Sequence, residues 1–167
     1  SINVSGKLAT SIKKRPLANS SDFNDVTSED VCLANIEISN YSSNLIPCQV
    51  SLSSISKNGR GFSLEIYGSE GSLILKSENQ KDYVHGFNLK YSNNENKIQN
   101  LTADSRFNFE KTWTDGRIAP VLRIQNLWAE SIFNQTPIIP GLCEGLASHK
   151  VCEAIRESSK SGLRIKI

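Results

Sequence analysis

Apolar and polar residues alternate with a period of two along most of the chain. In the clearest run, residues 31–40, every second side chain is apolar: Cys32, Ala34, Ile36 and Ile38. This alternation is typical of a β-strand with one buried face. Similar runs occur at residues 48–52, 62–66, 71–77, 83–92 and 97–103, separated by polar, turn-rich stretches. We therefore expect a meander of antiparallel strands.

The hydrophobic period changes after Pro120. Apolar residues then recur three and four positions apart, which predicts an amphipathic helix over residues 121–134. A second helix is predicted over residues 141–159, with Gly162 ending it and a short strand closing the chain. Strands followed by helices favour an α+β fold, here a mostly antiparallel open sheet with helices packed on one face. The chain length of 167 residues predicts a single domain.

The composition excludes several classes of protein. The formal net charge of +2 is spread thinly, so nucleic acid and anionic membranes are not expected partners. No apolar run approaches the roughly 20 residues of a membrane-spanning helix, and the N-terminus has no signal-peptide layout. We expect a soluble protein. The chain contains no Met and opens SINVSGKL, so we expect it to be part of a longer polypeptide.

The four cysteines do not form a metal or redox motif. Cys32 and Cys48 fall on the apolar side of predicted strands, where a free cysteine behaves as a small hydrophobic residue. Cys143 and Cys152 are nine positions apart, which places them on opposite faces of a helix. Reduced thiols predict a cytoplasmic location. The five Asn-x-Ser/Thr triplets are expected by chance in a chain this rich in Asn and Ser.

Two glycine-containing stretches could be taken for ligand-binding loops. Gly59-Arg60-Gly61 is followed by a predicted strand, whereas a dinucleotide-binding loop opens a helix, so a turn is the better interpretation. The stretch from Gly68 to Gly71 has the spacing of a GxxG nucleic-acid clamp, but strands flank it and an acidic residue would face phosphate. We expect a hairpin turn there.

Candidate substrate-lining residues occur in three stretches. The basic residues before Pro16 could bind an anionic group or could form a solvated loop. A histidine in a predicted strand could act as an acid or base, and the turn before the first helix carries aromatic and charged side chains. The candidates are Lys14, Arg15, His85, Trp113 and Arg117. His149 lies near the apolar stripe of the second helix, which favours a packing role.

Three parts of the sequence occur in a characteristic order. A Thr/Ser-Glu-Asp stretch at residues 27–30 leads into a strand, and an Ile-x-Gly-x-x-Gly-x-Leu pattern follows at residues 66–73. Near the end, a proline-led loop precedes Val-x-Glu-Ala-Ile at residues 151–155 and Ser-x-x-x-Gly at residues 158–162. Together they resemble the C-terminal domain of the glucose-fructose oxidoreductase and inositol dehydrogenase (Gfo/Idh/MocA) family. The resemblance covers nearly the whole chain.

The resemblance implies that the chemistry of the parent enzyme lies outside this chain. Family members have an N-terminal Rossmann domain for NAD or NADP, a Glu-Lys-Pro stretch with a catalytic lysine and an Asp-x-x-x-His stretch whose histidine assists proton transfer. None of these stretches is found in residues 1–167. We therefore expect no catalytic, cofactor-binding or metal-binding residues here, and a chain that is inactive alone. NAD or NADP is expected in the parent enzyme.

By the same resemblance, the chain is a substrate-binding and oligomerisation domain of an NAD(P)-dependent oxidoreductase acting on a sugar, cyclitol or related hydroxy compound. The implied partners are the Rossmann domain of the same polypeptide, a small-molecule substrate and a second copy bound through the open sheet face. Leu33 and Tyr67 fall on that face, among polar residues, and are the predicted contact residues. A stand-alone binding or scaffold module without redox activity is the alternative.

Overall fold

The structure, a computed structural model, describes residues 2–39, 44–79, 85–93, 97–108 and 113–167. The described residues form ten strands and two α-helices. The strands are β1 (Ile2–Ala9), β2 (Lys14–Pro16), β3 (Phe23–Asp25), β4 (Val31–Ser39), β5 (Leu45–Ser53), β6 (Phe62–Gly68), β7 (Gly71–Ser77), β8 (Asn88–Asn93), β9 (Ile98–Leu101) and β10 (Ile165–Lys166). The helices are α1 (Ile118–Asn134) and α2 (Leu142–Ser161), and a 3-10 turn spans Ser105–Phe107.

The chain divides into two compact units, Ser1–Lys57 with Ile139–Ile167 and Asn58–Ile138. The first unit contains a four-stranded sheet in the order β10-β1-β4-β5, called sheet 1, and the two-stranded ribbon β2-β3. The second contains a four-stranded sheet in the order β6-β7-β8-β9, called sheet 2. Neighbouring strands pair antiparallel in all three. The predicted α+β class with open antiparallel sheets is confirmed.

The core of the first unit lies between sheet 1 and α2. Its buried members come from β1, β4 and α2: Val4, Ala34, Ala154 and Ile155. Gly6 permits the close approach of the helix, because a Cβ at this position would lie 2.8 Å from Cγ2 of Ile155. The N–H of Gly6 donates to the Ser158 hydroxyl at 3.0 Å, and that hydroxyl donates to the carbonyl of Leu163 at 2.6 Å. Ser158 therefore joins β1, α2 and the segment that leads into β10.

Sheet 1 has a helix face and an open face. Cross-strand register places Val4 opposite Ile36 and Gly6 opposite Ala34, so the apolar positions of both strands share the helix face. Cys32 and Cys48 lie on it as well, half-buried, in agreement with their predicted role. The residues between these along each strand form the open face. They are mostly amide, hydroxyl and charged side chains: Asn3, Ser5, Lys7, Asn35, Glu37, Gln49 and Ser51.

The hairpin predicted around Gly68 and Gly71 is confirmed. Gly68 pairs directly with Gly71, and Ser69 and Glu70 form the turn between β6 and β7. Gly71 has φ 153°, and a Cβ there would lie 2.3 Å from the carbonyl oxygen of Ser92. The glycine is required by backbone geometry.

Both predicted helices are present, with slightly different bounds. Helix α1 begins at Ile118, three residues earlier than predicted, because Pro120 fits the first turn, where backbone N–H groups have no helical partner. Helix α2 ends at Ser161, and Gly162 adopts φ 73° and donates to the Ser158 carbonyl as the predicted C-terminal cap. Neither described helix is long and apolar enough to cross a membrane.

Three details differ from the sequence predictions. The meander is divided, because β5 and β6 belong to different sheets. The expectation that His149 packs is wrong: its side chain is largely exposed, 3.9 Å from Glu153. His149 lies two positions before Val151 of the buried stripe, and two residues rotate by about 200° around a helix. His85 lies before β8 rather than within a strand, and Tyr83 and Val84 of that predicted strand fall outside the described residues.

Candidate functional site

The ribbon carries the two basic candidates, Lys14 and Arg15. Lys14 is opposite Asp25 and Arg15 is opposite Asn24. The ammonium of Lys14 lies 3.9 Å from the Asp25 carboxylate, and both side chains are exposed. Since successive residues of a strand point to opposite faces, the two positive charges project from opposite sides of the ribbon. A ligand that lies flat on one side would therefore contact only one of them.

The turn before α1 carries Trp113 and Arg117. The guanidinium of Arg117 donates from Nε and Nη2 to the Asp115 carboxylate, at 2.9 and 2.6 Å for the shortest pairs, and the Arg117 N–H donates to the same group at 3.0 Å. These bonds lower the pKa of Asp115 to about 2. Trp113 and Arg117 are both exposed at this turn. The turn thus carries an aromatic side chain and, four residues later, a positively charged group whose direction Asp115 fixes.

His85 lies in the same unit as the turn, ahead of β8, and is half-buried. Two residues further on, the Phe87 ring packs edge-on against Phe62 of β6, with ring centroids 5.3 Å apart. This aromatic contact fixes the end of the segment that carries His85. Trp113 and Arg117 share one turn, His85 belongs to a separate segment of the second unit, and the two basic candidates belong to the first unit.

The predicted interface residues lie on exposed sheet faces. Leu33 is on the open face of sheet 1, between Lys7 and Ser51. Tyr67 is 73% exposed on β6, and its hydroxyl donates to the Glu65 carboxylate at 2.6 Å. This hydrogen bond lowers the pKa of Glu65 and raises that of Tyr67. Both residues are thus apolar or aromatic groups set among polar neighbours, as the alternation predicts.

Asp30 is a structurally important residue that the sequence interpretation used only as the lead-in to a strand. It is 6% exposed, and its carboxylate accepts hydrogen bonds from the N–H groups of Ser11 and Ile12 at 2.7 and 2.8 Å. Its own N–H donates to Ala9, and its carbonyl accepts from Ser54 at 3.0 Å. These bonds lower the pKa of Asp30, with Ile12 and then Ser11 as the largest causes. An acidic residue directly before an apolar strand was the available sequence signal.

The Gly59–Gly61 stretch does not have the geometry of a phosphate-binding loop. The Gly59–Gly61 stretch leads into β6, and a Cβ at Gly61 would lie 2.1 Å from the Ser77 carbonyl, so this backbone packs against β7. A phosphate-binding loop instead leaves its N–H groups open at a helix start. No group of three or more His, Cys, Asp or Glu side chains in the described ranges could hold a metal.

Comparison with known families identifies the domain. The model for the oxidoreductase family, C-terminal alpha/beta domain (GFO_IDH_MocA_C), matches residues 7–167. The chain belongs to this family. The predicted resemblance to Gfo/Idh/MocA proteins is therefore confirmed. The chain is the C-terminal domain of a member of this oxidoreductase family.

Relatives of the Gfo/Idh/MocA domain agree with this assignment. An uncharacterized oxidoreductase of Synechocystis is 35% identical over 157 residues, which cover 93% of this chain and 41% of that protein. An NAD binding oxidoreductase from Klebsiella pneumoniae has a similar fold, with a TM-score of 0.68, 17% identity and coverage of 98% of this chain and 45% of its own. The super-repressor mutant of Gal80p from Saccharomyces cerevisiae has a TM-score of 0.68, 14% identity and coverage of 99% and 44%. The chain thus spans about two-fifths of the length of these proteins.

Proposed function

We propose that this chain is the substrate-binding and oligomerisation domain of an NAD(P)-dependent oxidoreductase that acts on a sugar, cyclitol or related hydroxy compound. The observation that carries the proposal is the family match over residues 7–167. Since the matched relatives are more than twice as long as this chain, the partner is proposed to be an N-terminal Rossmann domain of the same polypeptide. That domain binds NAD or NADP and supplies the catalytic residues, so this chain is inactive alone.

The five predicted substrate-lining residues are proposed to contact the substrate within their own units: His85, Trp113 and Arg117 in the second, and Lys14 or Arg15, which project from opposite sides of the ribbon, in the first. The geometry that supports this role is clearest at the turn before α1. There the exposed Trp113 ring and the Arg117 guanidinium, which Asp115 holds in place, belong to one turn. An aromatic face and a fixed hydrogen-bond donor suit a polyhydroxylated ring, since sites of this kind combine apolar walls with a few placed polar groups.

The oligomer is proposed to form through open sheet faces, with Leu33 and Tyr67 at the contact. Tyr67 offers a large exposed ring whose hydroxyl is already held by Glu65, and tyrosine is enriched at protein interfaces.

The four unpaired cysteine thiols support the proposed cytoplasmic location, where thiols stay reduced.

A stand-alone binding or scaffold module is the second candidate. The similar fold of a Gal80p super-repressor favours it, since that protein is named for repression rather than for a redox reaction. The oxidoreductase candidate transfers electrons to or from a nicotinamide cofactor, whereas the scaffold candidate carries out no redox reaction.

The experiment is a turnover assay with the complete polypeptide from the parent gene. Absorbance of the reduced nicotinamide is followed with NAD⁺ or NADP⁺ and a panel of sugars, cyclitols and hydroxy acids. The proposal predicts turnover of at least one compound, and no turnover when this chain replaces the complete polypeptide. Absence of turnover with every pair, in a protein that is folded, would favour the scaffold module.

A further inference from the structure

The ribbon has little support apart from its own pairing. It consists of two strands of three residues each, and all six residues are exposed. An isolated two-stranded hairpin is marginally stable in water. Its attachment to sheet 1 therefore decides where its side chains point.

That attachment is concentrated at Asp30. Residues 11 and 12 connect β1 to the ribbon, and both of their N–H groups donate to the Asp30 carboxylate, one to each oxygen. Asp30 also joins β1 through Ala9 and the end of β5 through Ser54. It is thus hydrogen-bonded to both neighbours of β4 in sheet 1 and to the ribbon stem. Two further hydrogen bonds join the two sides of the stem: the N–H of Val26 donates to the carbonyl of Lys13 at 2.8 Å, and the hydroxyl of Thr10 donates to the carbonyl of Ser28 at 3.2 Å.

A carboxylate is the group that this position requires. Two N–H donors converge on it, and each needs an acceptor. An ionised carboxylate offers an acceptor at both oxygens, whereas an asparagine would turn one NH₂ group toward one of the donors. Hydrogen bonds to a charged acceptor are also stronger than neutral ones.

We propose that Asp30 is the positioning residue that orients the ribbon, and with it Lys14 and Arg15, relative to sheet 1. This gives the acidic residue of the Thr/Ser-Glu-Asp stretch a physical role. The consequence for substrate rests on the proposed function, in which Lys14 or Arg15 contacts the substrate. The orientation itself depends only on the first unit, which contains Asp30, the ribbon and sheet 1.

Nuclear magnetic resonance on the full chain tests the orientation. Residual dipolar couplings report the direction of each N–H bond, and couplings from β1, β4 and the ribbon are expected to fit one alignment tensor in the unaltered chain. In Asp30→Asn the ribbon couplings should shrink while those of β1 and β4 remain. Amide protection at Ser11 and Ile12 should fall roughly ten- to a hundredfold, because a hydrogen bond to a charged group is lost or weakened at each.

Asp25→Asn is the matched control. Asp25→Asn also removes one negative charge, but from the ribbon itself, and it affects only the exposed ion pair with Lys14. The hydrogen bonds from Ser11 and Ile12 to Asp30 stay in place, so the ribbon couplings should be retained. If Asp30→Asn does not fold, Ser11→Pro removes one of the two donors and leaves the carboxylate in place, and the same loss of ribbon couplings is expected. Unchanged ribbon couplings in Asp30→Asn, or an equal loss across β1 and β4, would overturn the proposal.

The complete polypeptide separates this inference from the proposed function. If the unaltered protein turns over a substrate, Asp30→Asn should raise KM at least about fivefold while kcat changes less than about twofold, since it disturbs binding alone. An unchanged KM together with a reoriented ribbon would refute the substrate role and leave the oxidoreductase proposal standing. Absence of turnover in the unaltered protein would refute the proposed function and the substrate role together.

Discussion

The two α-helices of the molecule both carry apolar stripes, and the C-terminal half of α2 buries its part of the stripe while Leu142 and Leu146 near its start stay exposed. Helix α2 places Ala154, Ile155 and Ser158 against β1, and Ile155 is 8% exposed. In helix α1 only Ala119 is buried, and Ile132 of its stripe is 74% exposed. The first unit therefore completes a core from its own residues. Exposed apolar side chains grouped on one helix, as on α1, are typical of a surface that a further domain or chain covers.

The two four-stranded sheets differ in the same way. Sheet 1 has an apolar face on which α2 packs. Sheet 2 also has one apolar face, but its members on three strands are exposed: Phe62, Leu64, Ile66, Leu73 and Leu101. Burial of apolar surface is the main favourable contribution to folding. We therefore expect the first unit to dominate the stability of this chain and the second to be the more sensitive to partners.

The largest expected effect is a difference in the free energy of unfolding between the same Ile→Ala change made in α2 and in α1. Ile155→Ala should lower the free energy of unfolding by about 2–5 kcal/mol, because it removes a buried side chain from the core. Ile132→Ala is the matched change on α1 and should stay within about 0.5 kcal/mol, because the side chain is already exposed. Urea unfolding of both variants measures the difference. Equal losses at the two positions would remove the contrast between the helices.

A smaller effect is expected at the polar junction of the first unit. Ser158→Ala leaves the Gly6 N–H and the Leu163 carbonyl without their shared hydroxyl. Unsatisfied buried groups cost about 1–3 kcal/mol, so a loss of this size is expected in the unfolding free energy. Ser148→Ala, on the exposed side of the same helix, is the control. A loss in Ser158→Ala no larger than in the control would show that the junction does not stabilise the unit.

These contrasts show which features the sequence could predict. The period of two located the apolar face of β4, and the change of period located both helices, because these features depend on neighbours close in sequence. The ribbon was not predicted, since strands of three residues that include Pro16 carry too little periodic signal. The role of Asp30 was missed because its contacts with Ser11 and Ile12 span 19 and 18 residues. Such contacts are decided by tertiary structure.

The candidate site was predicted to a lesser extent. Residue types and loop position made Trp113 and Arg117 candidates, and their role stays a prediction; the bonds that Asp115 accepts from Arg117 appear only in three dimensions. The sequence also could not show that Lys14 and Arg15 point to opposite sides, because this depends on both residues belonging to one short strand. His149 was assigned to the wrong side of a helix, where an error of two positions reverses the direction of a side chain.

Self-association tests whether the exposed sheet faces are interfaces. Sedimentation equilibrium at micromolar concentration should give a mass above that of the monomer. Tyr67→Glu should weaken association by about tenfold or more, because it removes an aromatic contact and places a second negative charge beside Glu65. Tyr67→Phe keeps the ring and should associate like the unaltered chain. A strictly monomeric mass for the unaltered chain would contradict the proposed interface.

The smallest effect concerns the Asp115 carboxylate of the second unit. Its pKa is lowered from 3.8 to about 2, mainly by the side-chain hydrogen bonds from Arg117. A lowered pKa means that the pair favours the folded state above about pH 4 and that this contribution is lost as the pH falls toward 2. Carboxyl chemical shifts should therefore titrate near pH 2, and Arg117→Gln should move the midpoint up toward 3.8. An unchanged midpoint in this variant would show that Arg117 is not the cause.

The most direct test of the proposed function is the Michaelis constant of a Trp113→Ala variant in the complete polypeptide. Trp113 is exposed at the turn before α1, so its removal should leave the fold intact. If Trp113 of this domain contacts the substrate, KM for the sugar, cyclitol or hydroxy compound should rise by about tenfold. The dissociation constant of the nicotinamide cofactor should stay within about twofold. An unchanged substrate KM, or weakened binding of the cofactor instead, would contradict the proposed division of roles.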